Sequence, residues 1–247
     1  MFSPARAAIS LTYDDGMSQH LDHAIPDLEA FGVRGTFYVP TDGGDDSPWH
    51  TRATEWAALA RRGHEIGNHT RVHPCRGWAG HNLSEYTLES ICDELTVAQA
   101  DVDQRVGNMP RSFAYPCCHT TVGPDSNPMS YVDFTETLFP ASRVGGDQLA
   151  DPATVDLRLV PSFIMHEKLP LSQIIALLDQ AIAEQKWLVL TFHGIGGGHI
   201  NYGRVEHQTL CKAIADRSHD LLCSTFVEIA MRIRSATGRA WTKRPRG

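Results

Sequence analysis

Apolar positions along the chain alternate between short continuous runs and spaced repeats, and the two patterns take turns from end to end. Residues 7–13 (Ala-Ala-Ile-Ser-Leu-Thr-Tyr) form a nearly unbroken apolar run that predicts a buried strand, closed by Asp14-Asp15-Gly16, a loop signal. Leu21, Ile25, Leu28 and Phe31 then recur at helical spacing, Gly32 ends the helix, and residues 35–40 supply a second β-rich run, completing a βαβ unit. The alternation predicts further helices near 54–61, 83–103, 171–184, 206–217 and 226–234. It predicts strands near 64–67, 112–115, 139–144, 157–161, 187–192 and 221–223. Strand and helix alternating without a composition break imply a parallel sheet in one domain, and closure into a barrel fits 247 residues. No internal repeat is present. Residues 41–47 and 120–130 read as long surface loops of the kind that border binding sites.

Composition narrows the partners. A formal net charge of −7 argues against a nucleic-acid or anionic membrane surface, since a phosphate backbone demands clustered Lys and Arg. The basic cluster Arg239, Lys243, Arg244 and Arg246 reads as a solvated, partly disordered tail. There is no apolar run of membrane-spanning length and no signal-peptide core after Met1-Phe2-Ser3-Pro4, so the expected location is cytoplasmic. The six cysteines (75, 92, 117, 118, 211 and 223) lack both the density of a disulfide scaffold and CxxC spacing, and free thiols are expected.

The chemistry begins with His69 and His73. Four residues apart, on one helical turn they would face a common ion. No HExxH pattern occurs, which excludes the zincin arrangement. Asp14 and Asp15 at a buried strand end would repel each other unless a cation or a shared proton relieved them. One carboxylate with two neutral imidazoles makes a facial ligand set with open positions, as in a catalytic site.

In order along the chain stand Thr12-Tyr13-Asp14-Asp15-Gly16, then residues 63–73 (Gly-His-Glu-Ile-Gly-Asn-His-Thr-Arg-Val-His), Phe113-Ala114-Tyr115-Pro116, and residues 188–193 (Leu-Val-Leu-Thr-Phe-His). Together they resemble the motifs of the polysaccharide deacetylase family, carbohydrate esterase family four. The resemblance implies a distorted (β/α) barrel of fewer than eight strands, about seven. It makes residues 1–238 the catalytic domain, with 239–247 as the basic tail. It also implies that Asp14 is the general base, that Asp15, His69 and His73 bind a divalent metal, usually zinc, and that His193 is the general acid. The backbone N–H of Cys117, after Tyr115 and Pro116, would hold the oxyanion. The substrate would be an acetylated carbohydrate losing an N- or O-acetyl group.

Two departures stand out. An arginine that orients the base often occupies the position of Ala114, and Arg111 and Arg143 are the candidates to replace it. The tryptophan-containing fourth motif is not located either, and Asp133 and Asp156 are the acids that could partner His193, although surface loop acids account for both. His64 and Glu65 read as structural groups. His199, in the run Gly196-Gly197-Gly198-His199, reads as an exposed loop residue that could touch substrate. Trp49, Trp56 and Trp78 could stack on sugars or simply pack. Two other readings remain open: a hydrolase of small amides or imides on the same scaffold, and a metal-containing carbohydrate binder without turnover, suggested by Ala114.

Overall fold

The structure, a computed structural model, describes residues 6–242. Its strands are β1 (Ala7–Tyr13), β2 (Gly35–Val39), β3 (Glu65–Asn68), β4 (Phe113–Ala114), β5 (Thr121–Val122), β6 (Met129–Ser130), β7 (Ser142–Arg143), β8 (Phe163–Ile164), β9 (Trp187–Phe192) and β10 (Leu221–Cys223). Its helices are α1 (Ile25–Ala30), α2 (Pro48–Thr51), α3 (Ala53–Arg61), α4 (Leu88–Val106), α5 (Val132–Leu138), α6 (Leu171–Glu184), α7 (Arg204–Asp216) and α8 (Phe226–Ala236).

The sheet is parallel and runs β7-β4-β3-β2-β1-β9-β8, with β5 and β6 forming a separate antiparallel hairpin. β1 and β9 are buried at every position, as continuous apolar strands covered on both faces must be. β9 pairs along one edge of β1 from Ala8 to Tyr13. The opposite edge is divided, Ala7–Ile9 pairing with β10 and Leu11–Tyr13 with β2. The sheet curls until Val160, just before β8, bridges Arg143 of β7, so the path returns to its starting strand. This is the expected distorted barrel. Parallel strands put their C-terminal ends together, which gathers Asp14, His69, Pro116 and His193 at one end of the sheet.

Glu65 ties the opposite end. Its buried carboxylate accepts from Ser112 N and Oγ, Thr36 Oγ1 and Val227 N at 2.6–2.9 Å, joining β2, β3 and α8. A second buried chain joins β1, α1 and α7. Tyr13, stacked between Phe37 and Phe192, donates to His207 Nε2 at 2.7 Å, and His207 Nδ1 donates to Asp27 at 3.2 Å. Gln208 and Arg204 also donate to Asp27. Burial pushes the Asp27 carboxyl up, but these hydrogen bonds, His207's first, outweigh it and hold it below the ordinary carboxylate range. A depressed folded-state pKa contributes stability above the unfolded pKa and loses it as pH falls. Asp27→Asn is therefore expected to destabilise by about 1–3 kcal/mol at neutral pH. The gap to wild type should narrow as pH falls below the unfolded carboxyl value of about 3.9. Urea midpoints of both proteins at neutral pH and below that value check this.

Several expectations need correction. Residues 83–103 do not form one helix: Leu83–Glu85 is a 3-10 turn, and α4 starts at Leu88 behind a Thr87–Ser90 capping box. Residues 157–161 contribute only the Val160 bridge, the strand coming later as β8. The helix α5 and the β5–β6 hairpin were not expected. Cys75 and Cys117 form a disulfide, Cα atoms 5.9 Å apart, whereas Cys92, Cys118, Cys211 and Cys223 are not disulfide-bonded. Of the expected loose tail, Arg239 donates to the Val155 carbonyl and Trp241 to that of Glu136, so its first part is packed. Lys243, Arg244 and Arg246 lie outside the described residues.

Candidate active site

The strand end after β1 delivers two carboxylates with different surroundings. Asp14 is buried. Its Oδ2 is paired to the Arg143 guanidinium and lies 3.9 Å from His69 Nε2 and 4.0 Å from His193 Nε2. Its Oδ1 is buried and has no hydrogen-bond partner among the described residues. Asp15 takes a left-handed backbone conformation, φ 75°, which turns its side chain toward the other side of the site. Its Oδ1 faces His73 Nε2 at 3.4 Å and His69 Nε2 at 3.6 Å, and its Oδ2 accepts from His199 Nε2 at 2.8 Å.

His69 and His73 meet by a different route from the helical turn expected. His69 directly follows β3, and the chain then loops through Thr70 (φ 66°) and His73 (φ 54°), conformations no helix contains. The loop is held by Glu94 of α4, which accepts from Arg71 N and Val72 N, and by Thr70 Oγ1, which accepts from His73 N. His69 Nδ1 donates to the Ala114 carbonyl at 2.8 Å, so Nε2 is the free lone pair turned toward Asp15. Burial lowers the His69 pKa to about 4, keeping the ring neutral.

These three atoms suit a metal. Two donors each about 2.1 Å from one tetrahedral ion sit roughly 3.4 Å apart, and the Asp15 distances of 3.4 and 3.6 Å bracket that spacing. The donor set, one carboxylate and two neutral-type imidazole nitrogens, is the one expected for zinc or a neighbouring transition metal.

Arg143 occupies the place left by Ala114. In the parallel pairing of β4 with β7, Ala114 and Arg143 are register partners, so the guanidinium reaches the carboxylate from the next strand. Thr191 Oγ1 at 2.6 Å and Ser162 Oγ at 3.2 Å fix its other arm. Burial pushes the Asp14 carboxyl up, but Arg143, then His69 and His193, outweigh it and hold it ionised below the usual range. Arg111 does something else. It donates to the carbonyls of Ile66, Val106 and Gly107 and binds the helix α4 terminus to β3.

His193 stands at the end of β9, with its backbone carbonyl fixed by His20 Nε2 at 2.8 Å. Burial lowers its pKa against the pull of Asp14 and Asp15. Its Nδ1 has no partner among the described residues. Asp133 and Asp156 are not near it, since both pair with Arg158 at the surface. Tyr115 also turns away from the site. Its hydroxyl meets Thr135 Oγ1 at 3.0 Å and its ring packs with Phe113 and Tyr131. Pro116 opens the 3-10 turn that sets Cys117 at φ 50°, and the turn's internal bonds are donated by Cys118 N and His119 N. The disulfide fastens this turn to the His73 loop, with Cys75 Sγ 3.7 Å from His73 Nδ1. Trp49 and Trp56 are core residues, while Trp78 is half exposed with its ring 5.3 Å from that of His73. His20, Glu94 and Ser162 escaped sequence reasoning, because nothing in their spacing links them to the motifs, and Thr191, although inside the motif at 188–193, was given no role there.

Comparison with known proteins places this arrangement. Residues 3–122 match the polysaccharide deacetylase family model, so the resemblance drawn from the motifs holds over the N-terminal half. A 100-residue stretch is 28% identical to the uncharacterized protein YlxY of Bacillus subtilis, covering 40% of this chain and only 27% of that protein. A Mycobacterium smegmatis structure put forward as a polysaccharide deacetylase superposes with a TM-score of 0.66 at 17% identity, over 100% of this chain and 96% of the other. A family 4 acetyl xylan esterase from Clostridium thermocellum, in complex with a cobalt ion, gives 0.58 at 14% identity, over 94% and 93%. At these identities the structural likeness is one of fold.

Proposed function

For a chain whose N-terminal half matches the polysaccharide deacetylases and whose whole length carries their fold, we propose metal-dependent hydrolysis of acetyl groups, as amide or ester, from a carbohydrate. The observation that carries this reading is the division of labour at the strand end: Asp14 locked to Arg143 with one oxygen unpartnered, and Asp15 turned toward two histidines.

Asp15, His69 and His73 would hold the ion. When bound, a divalent ion, zinc or another transition metal, supplies Lewis acidity toward the acetyl carbonyl and lowers the pKa of water. Asp14, kept ionised by Arg143, takes the attacking water's proton at the unpartnered Oδ1. The Cys117 N–H donates to the carbonyl oxygen as negative charge gathers there. His193, 4.0 Å from Asp14 and neutral at rest, relays that proton from Asp14 to the leaving nitrogen or oxygen. The half-exposed Trp78 beside His73 gives a sugar ring a face to stack on.

Acetate release over chito-oligosaccharides, peptidoglycan fragments and acetylated xylan, with and without chelator, tests the reading. Activity on at least one of them should disappear with chelator and return with metal. Chelator-insensitive turnover, or full activity in Asp14→Asn, would refute it. One observation favours the small-amide reading: a cavity of about 370 Å³ adjoins Asp15, lined by Met17, Gln19, Trp49 and His199, of a size for a compact substrate. A panel of small amides separates the two. The binder reading loses its motive, because Arg143 supplies the guanidinium that Ala114 lacks.

A further inference from the structure

The loop that follows β9 is built with unusual care for a surface turn. Gly194 N donates to the His199 carbonyl at 3.0 Å, Gly196 N donates to Tyr202 O at 2.9 Å, and Tyr202 N donates back to Gly194 O at 2.8 Å. Asn201 Oδ1 accepts from Gly197 N at 2.7 Å. Gly196, Gly197, Gly198 and Ile200 all have positive φ. A Cβ at position 194 would run into the Gly197 carbonyl, and one at 198 into the Met17 methyl. His23 Nδ1 donates to Ile195 O at 2.6 Å and pins the loop to the turn before α1. The product of all these contacts is the position of one imidazole: His199 Nε2, 2.8 Å from Asp15 Oδ2, with the ring 5.3 Å from that of His193.

Each oxygen of Asp15 therefore has its own task. Oδ1 faces His69 and His73, and Oδ2 is engaged by His199. A carboxylate with both oxygens free can swing to chelate an ion through two atoms or rotate away from it. One whose outer oxygen already accepts a hydrogen bond presents a single atom in a fixed direction. We infer that His199 is a positioning residue for the ion site, holding Asp15 to coordination through Oδ1 alone. The loop 194–202 exists in its strained form to place that imidazole. The inference rests on the reading of Asp15, His69 and His73 as ligands, and it adds to them a residue that touches neither ion nor substrate in this role.

The test reads ion binding directly. Apo protein is titrated with Zn2+ against a chromophoric chelator, for wild type, Asp15→Ala, His199→Ala and His199→Gln, with a urea melt of each apo protein as a check on folding. Gln extends an amide N–H to where Nε2–H stood. His199→Ala should weaken Zn2+ binding by about 10–100-fold, the usual consequence of losing a ligand's hydrogen-bond partner, with the apo urea midpoint unchanged, and His199→Gln should recover most of it. Wild-type affinity in His199→Ala overturns the inference alone, as does a Gln variant no better than Ala. Wild type that binds Zn2+ no better than Asp15→Ala overturns the ligand reading and the inference with it.

Discussion

Arg143→Met is expected to lower turnover by about 10²–10⁴-fold, as much as removing a general base, although Arg143 is the side chain of neither a ligand nor a base. The guanidinium is buried, its partner Asp14 is buried, and among the described residues the other oxygen of that carboxylate, Oδ1, has no hydrogen-bond donor. Without Arg143, desolvation acts on Asp14 against only two neutral-leaning imidazoles. Its pKa rises, and a protonated Asp14 accepts nothing. Truncating one partner of a buried pair also costs about 3–5 kcal/mol of stability. The double variant Asp14→Asn with Arg143→Met, which leaves no orphaned charge, should be more stable than the sum of the single losses allows. Acetate-release rates, zinc content and urea midpoints for the four proteins form the measurement. Turnover in Arg143→Met within threefold of wild type would show that Asp14 is held by something else.

The second large effect concerns the disulfide. Cys75 and Cys117 close a loop of 42 residues in sequence separation, and a crosslink of that span restricts the unfolded chain by about 4 kcal/mol. Cys75→Ser should lower the melting temperature by roughly 8–16 °C, at the usual 2–4 °C per kcal/mol for a chain of this size. The bond also joins the loop that carries His73 to the turn that presents the Cys117 N–H, two parts no sheet hydrogen bond connects. Turnover should fall with stability, and the fall should persist at a temperature where the variant is fully folded. Equal turnover there would confine the bridge to a stabilising role. In a glutathione-buffered cytosol the pair would be held as thiols. Alkylation and mass measurement of the protein from its native host therefore report the compartment in which it folds.

The unequal legibility of the sequence has physical causes. α6, β9 and β10 fall on the residues the apolar pattern marks, because buried runs bounded by polar turns leave little freedom. α5 was invisible, since only Val132, Thr135 and Leu138 of its seven residues face inward. Asp14, Asp15, His69, His73 and His193 were named from the motifs, and the structure brings all five together. The spacing of His69 and His73 suggested a helix because four residues fit one turn, yet a loop with two positive-φ residues spans the same interval. Arg143 and Arg111 were equal candidates in sequence. Strand register distinguishes them, and register is a relation between segments about 30 residues apart that one-dimensional patterns do not carry. The cysteine pairing did leave a signal: Cys75 follows His73 by two and Cys117 follows Pro116, and both motifs end at the same end of the sheet.

The placement of Asp14 and Asp15 on the first strand, with their partners on β7 and β9, sets an order of events during synthesis. Asp14 leaves the ribosome 129 residues before Arg143 and 179 before His193. At about 5–20 residues per second those intervals last roughly 6–26 s and 9–36 s. For that time β1 can have β2 beside it but neither β9 nor β10, and Asp14 has no arginine, although His69 and His73 follow it by only 55 and 59 residues. A nascent chain must keep this strand wet or sheltered until its far half arrives, and a divalent ion already held by Asp15, His69 and His73 would be the first partner able to reach it.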